Sequence, residues 1–189
     1  MQVLDDIGLK KHPPKRLDVL FNIALCSILL GAAIGASIAW FNAWMSPHYF
    51  QETMGWNQEE VRPASLIQGG LNGMAYGFAF AGFFAIVCGW ATQFKCSFLF
   101  AFRQLLKISF FVFLGWAAGG LIESSFYQPM ENALTFSSVF SVLPGAPATD
   151  WHSRWVQGSI LGQNAGFLLG AAFCPLIVWR AWRRRTRNK

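Results

Sequence analysis

Glu123 is the residue in this sequence best placed to do chemistry, because no other carboxylate lies inside an apolar stretch. Counted from Lys107 it is 16 residues further on, about 24 Å along a helix rising about 1.5 Å per residue. An ionisable side chain in the outer third of a bilayer marks an ion or solute path by default. Ser124 and Ser125 flank it. Other strong polar side chains fall at similar depth: Gln68 and Asn72 one turn apart, Gln157, Gln163 and Asn164 in the last apolar stretch, and Asn42 at the end of the first. The inner stretches 78–87 and 167–173 are almost wholly apolar. Two readings compete. In one, Glu123 with Gln68, Asn72, Gln163 and Asn164 lines an outward-open pocket for a cation, a proton or a small polar ligand. In the other, these side chains hydrogen-bond between helices, each bond adding about 0.6 kcal/mol on average, and Glu123 is protonated or wetted from the outer surface. We prefer the second.

Other chemistry finds less support. His48 and His152 lie near Glu52 and Asp150, which are ligand types that zinc accepts. They come from different loops without ligand spacing, so no metal site is expected. No histidine sits within an apolar stretch to ligate a haem there. Cys26, Cys88 and Cys174 fall within apolar stretches and Cys96 in a connector. The lack of a C-x-x-C pair or an outer-loop cysteine argues against a membrane thiol oxidase, and the thiols read as small hydrophobes. The serines have no His or Lys partner at a recognisable spacing. Gly69-Gly70-Leu71-Asn72-Gly73 lies inside an apolar stretch, not at a strand-to-helix turn, so it is no phosphate loop. The sequence therefore implies no enzyme and no cofactor.

The elements that must position these side chains follow from composition. Of 189 residues, 54% are hydrophobic and 13% charged, with 19 Phe and 9 Trp. Crossing about 30 Å of hydrocarbon takes roughly 20 helical residues, and four stretches suffice: 19–44, 66–91, 105–126 and 155–179. The first is too long for a signal peptide, follows Pro13-Pro14-Lys15-Arg16, and ends on Trp40, Phe41 and Trp44 rather than a cleavage site. Thirteen of the fifteen Lys and Arg fall on the side of the termini and the middle connector, leaving Arg62 and Arg154 opposite. By the positive-inside rule both termini face the cytoplasm of a plasma (inner) membrane. Residues 1–18 form a cytoplasmic leader able to lie on the membrane, and 180–189 a basic tail. The charge of +6 is explained by topology and by anionic lipid at the tail, about 1 kcal/mol per basic residue near the surface. No nucleic acid is needed.

Two outer loops remain, 45–65 and 127–154. Ser46-Pro47 reads as the cap and first turn of a short helix to about Met54. In the second loop an interfacial or re-entrant helix is expected over 131–143, ended by Pro144-Gly145-Ala146-Pro147. Pro175 should kink or loosen the last stretch.

The fold class is thus all-α and integral to the membrane: four transmembrane helices in two hairpins, packed through glycine. Gly31 and Gly35, then Gly69, Gly73 and Gly77, then Gly115 and Gly119, then Gly162, Gly166 and Gly170 form smooth seams at spacing four. The first and third stretches match at an offset of 84, the second and fourth at 93, with Ile67 aligned on Ile160. Either a parallel duplication or packing that selects one spacing twice accounts for this. The arrangement broadly resembles the channel-forming subunits of mitochondrial inner-membrane preprotein translocases, in architecture only, and that resemblance carries no residues across. The expected function is a non-enzymatic accessory, assembly or self-associating subunit, with other membrane subunits or itself as partner. The alternative is a small transporter or channel around Glu123.

Overall fold

The computed structural model describes residues 16–125 and 150–187. The leader before Arg16, the helix expected over 131–143 and its Pro-Gly stop lie outside the described residues. Five helices follow in order: α1 (Arg16–Met45), α2 (Pro47–Met54), α3 (Val61–Thr92), α4 (Phe98–Ser125) and α5 (Trp151–Arg187), with no strand among the described residues. Four are long and apolar enough to cross a membrane, over Asp18–Met45, Val61–Thr92, Phe98–Ser125 and Trp151–Arg187. The outward surface agrees: Phe21, Phe78, Ile86 and Trp90 are each about 70% exposed, as suits side chains whose solvent is lipid.

Helix ends differ from the apolar windows because capping and propensity, not hydropathy, decide where a helix stops. α4 begins at Phe98, well before residue 105. The Ser97 hydroxyl accepts from the Phe100 N–H at 3.4 Å, capping the first turn. The turn before it is tight, with Gln93 and Phe94 at φ 51° and 58°, and the Phe94 N–H reaches back to the Gly89 carbonyl at 3.1 Å. This turn needs glycine at 89, where a Cβ would lie 2.6 Å from the Phe94 ring. α5 runs uninterrupted through Pro175 to Arg187, since arginine is a good helix former and suits the negative end of the dipole. α2 opens on Ser46, whose hydroxyl accepts from the Tyr49 N–H at 3.4 Å. It closes on Gly55 in the left-handed region, φ 69°.

The long helices meet in two close antiparallel pairs. In α1–α3, a Cβ added to Gly35 would lie 2.9 Å from the Gly73 Cα, and one on Gly31 3.0 Å from the Gly77 Cα. In α4–α5, a Cβ on Gly119 would lie 2.7 Å from the Gly162 Cα, and one on Gly115 2.7 Å from the Gly166 Cα. Backbone meets backbone at both crossings. Between the pairs, contact passes through larger side chains, with Phe167 of α5 against Tyr76 and Phe80 of α3 at 5.1 and 5.9 Å between ring centroids. An apolar core around Phe84, Cys88, Leu105, Cys174 and Val178 fills the end that carries most of the basic residues, called here the basic end. A smaller core of Ala43, Tyr49, Phe50, Val61 and Val156 fills the opposite end and holds α2 in place.

Candidate functional site

Polar side chains gather at two levels between the pairs. At the end opposite the basic one, Asn42 is 1% exposed although it closes α1. Its Oδ1 accepts from the Trp116 indole N–H at 3.2 Å and lies 3.2 Å from the Ser159 hydroxyl. That hydroxyl also reaches the Val156 carbonyl at 2.8 Å. One amide oxygen thus joins α1, α4 and α5. One turn on, the Ser46 and Ser153 hydroxyls meet at 3.0 Å, tying the start of α2 to α5. Phe41 packs edge-on to Trp116, 5.2 Å between centroids, and Trp116 to Trp155 at 5.9 Å. Buried polar groups joined this way fix how two helix pairs dock, because an unmet partner carries a desolvation penalty of about 1–3 kcal/mol.

The second level lies near the middle of the helices. A partly open cavity of about 60 Å³ lies where the pairs meet, lined mostly by apolar and glycine surface together with Ser27, Tyr76, Ser109, Gln163 and Asn164. The Tyr76 hydroxyl donates to the Asn164 Oδ1 at 3.2 Å, joining α3 to α5. The Ser27 hydroxyl donates to the Gly77 carbonyl at 3.0 Å, a carbonyl within the α1–α3 crossing. A mostly apolar cavity of this size with a few hydroxyl and amide groups on its wall has room for a few waters.

The five side chains singled out by sequence take three different places. Gln163 and Asn164 line the cavity. Glu123 is 3% exposed, lies two residues before the end of α4, and rests its Cβ on Gly158, with the Arg154 charge acting on it. It does not line the cavity. Gln68 is half-buried, and Asn72 is exposed on the outward side of α3. The histidines pair locally, His48 with Glu52 at 3.0 Å and His152 with Asp150 at 3.4 Å. Asp150 also accepts from the Ser153 N–H at 3.1 Å and so caps α5. Partial burial would raise its carboxyl, but the Ser153 bonds and the nearby His152 outweigh burial and hold it below its usual value. The four cysteines are free thiols, Cys88 and Cys174 buried.

The chain matches no known family, curated protein or solved structure. What it does must be argued from its own geometry. The residues that join the pairs but carry the weakest signal in the sequence are Tyr76, Trp116, Ser153 and Ser159. The two serine hydroxyls can satisfy themselves on their own helix backbone, and Tyr76 and Trp116 read first as bulky apolar side chains. Gly158 is equally inconspicuous in the sequence. It lies one turn before Gly162 and extends that ladder to four rungs.

Proposed function

We propose that the chain is a non-catalytic multi-pass protein of the plasma membrane, its basic end in the cytoplasm, that self-associates through the outward face of α3. The observation that carries this is a stripe on that face. Asn72, Ala75, Ala79 and Gly82 follow at spacings of three, four and three, all exposed, and a Cβ on Gly82 would meet nothing within 4 Å. Asn72 lies 11 residues into α3, a helix of 32 residues, hence about 16 Å along an element about 48 Å long and within hydrocarbon. An amide there lacks a partner in lipid, and the small residues below it allow another helix to come close. An amide both donates and accepts, so Asn72 of two copies can satisfy each other across a two-fold axis. The ladder glycines are occupied within the pairs and leave this stripe as the free seam.

The two pairs read as duplicated hairpins. Gly31 meets Gly73 and Gly77 as Gly115 meets Gly162 and Gly166, and Gly35 meets Gly69 and Gly73 as Gly119 meets Gly158 and Gly162. These contacts support an offset of 84 for the first helix of each pair and 89, not 93, for the second. At 89, Gln68/Gln157, Phe78/Phe167, Phe84/Phe173 and Trp90/Trp179 also coincide.

The test is cross-linking in native membranes. In a chain whose four cysteines are replaced, Ala79→Cys should give a product of twice the mass, lost on adding Asn72→Leu and Gly82→Leu. A monomer under all conditions refutes self-association, and a product of another mass redirects it to a different subunit. A second reading, passage of a small polar solute, is favoured by the cavity at Tyr76 and Asn164. It requires a flux in proteoliposomes that Asn164→Leu abolishes, and Glu123→Gln too if Glu123 belongs to the path.

A further inference from the structure

At the basic end a groove of about 590 Å³ lies between α4 and α5, within the range of ligand sites. Arg103 and Lys107 of α4 and Arg180, Arg184 and Arg185 of α5 line it, with Phe100 and Leu99 supplying apolar wall. No acidic side chain lines it. The ion pairs between described residues, His48–Glu52 and His152–Asp150, are at the far end of the bundle. Arg185 is held in place, donating to the Ser97 hydroxyl at 3.3 Å with its guanidinium 5.7 Å from the Phe100 ring centroid. A second, independent feature lies among the lining residues. Gln104 is 4% exposed, its Nε2 donates to the Phe100 carbonyl at 3.4 Å, and its Oε1 is buried without a partner. A buried acceptor left unmet calls for a donor.

We infer that this groove binds the headgroup of an anionic phospholipid of the phosphoglycerol class, stoichiometrically, between α4 and α5. Five cations converging from two helices fit a phosphodiester, and guanidinium groups match its oxygens in a fork. The groove lies where the helices leave hydrocarbon, so acyl chains can run down the apolar flank while the phosphate stays at headgroup level. A glycerol hydroxyl is the donor Gln104 lacks, reached by a small turn of its amide. An ammonium could donate as well, but the five surrounding cations repel it. Choline offers no donor at all. This site is separate from the α3 face, and its failure would leave self-association standing.

The test is native mass spectrometry of the purified full chain with phosphatidylglycerol or phosphatidylcholine added in mild detergent. One phosphatidylglycerol should bind in preference. Arg103→Gln with Arg180→Gln should lower the ratio of phosphatidylglycerol to phosphatidylcholine bound by on the order of tenfold or more. The charge-matched pair Arg183→Gln with Arg187→Gln, which removes only diffuse attraction at the tail, should lower it by clearly less. Arg183 lies over the Trp179 ring at 3.9 Å, and neither residue lines the groove. Equal losses from both pairs would mean diffuse attraction to an anionic surface and overturn the site, as would equal binding of the two lipids. Gln104→Leu should reduce preference for phosphatidylglycerol over phosphatidic acid, and an unchanged preference refutes the hydroxyl contact. Displacement of the lipid by millimolar inorganic phosphate would assign the groove to a soluble anion instead.

Discussion

Gly73→Ala is the sharpest test of the backbone crossing. A Cβ there would lie 2.8 Å from the Gly31 carbonyl carbon and 3.2 Å from the Gly35 Cα, with the Gly31 oxygen closer still. Carbon atoms sit comfortably at about 3.5–4.0 Å, so α1 and α3 must move apart by roughly an ångström. Overpacking of this kind costs about 1–3 kcal/mol. The upper part applies, because backbone on a partner helix cannot rotate away as a side chain could. Alanine returns up to about 1 kcal/mol through helix propensity. Gly82→Ala gains the same propensity but meets nothing within 4 Å, so the difference between the variants isolates the crossing at about 2–3 kcal/mol. Unfolding in mixed micelles with rising dodecyl sulfate, followed by tryptophan emission at dilution that keeps the chain monomeric, measures it. Equal midpoints within about 0.5 kcal/mol, the scatter expected of surface substitutions, would refute the crossing.

Three further outcomes follow from the same geometry. Gly158→Ala should destabilise about as much as Gly69→Ala, whereas Gly170→Ala, whose Cβ would meet Ile108 atoms at 3.2 Å, should cost under about 1 kcal/mol. The opposite order would restore the offset of 93. Asn42→Ala strips the acceptor from Trp116 and should cost about 1–3 kcal/mol, with a shift in tryptophan emission on the same titration. Asp150 has a lowered carboxyl, so its support for the first turn of α5 is present above the ordinary value of 3.8 and lost as pH falls through the lower, folded value. Amide exchange at Ser153, corrected for intrinsic rate, should accelerate in that acid range in the native chain and not in Asp150→Asn, which keeps the cap without the charge.

The four long helices were legible because hydropathy over about 20 residues reports a bulk solvent preference that no single contact can override. α2 was legible for another reason, since Ser46-Pro47 is a local signal complete in itself. The start of α4 was not, because the run around Phe98, Phe100 and Phe102 reads equally as an aromatic loop at the interface and as helix. The offset between α3 and α5 is ambiguous in the sequence for a geometric reason. Gly158, Gly162, Gly166 and Gly170 repeat every four residues, so a three-rung ladder aligns on them twice, one turn apart, and spacing alone cannot choose. The polar side chains were legible as polar but not in direction. Each helical residue turns about 100° from the last, which sends Asn72 outward while Gln163 and Asn164 on α5 face the cavity.

The proposed offset also recasts Glu123. At 84 its counterpart in the first pair is Ala39, and both rest a Cβ against the same rung: Ala39 on Gly69, Glu123 on Gly158. The crossing therefore needs only the methyl-sized part of residue 123. The carboxylate beyond that is an addition peculiar to the second pair, under the influence of Arg154. Glu123→Ala should then keep the α4–α5 crossing, with a stability change within about 1 kcal/mol, far less than Gly158→Ala. If it unfolds the chain as Gly158→Ala does, the carboxylate is structural and the two pairs are less alike than their glycines suggest. If it leaves the fold intact yet removes a measured flux or a partner, the asymmetry between Ala39 and Glu123 is where the second pair departs from the first for function.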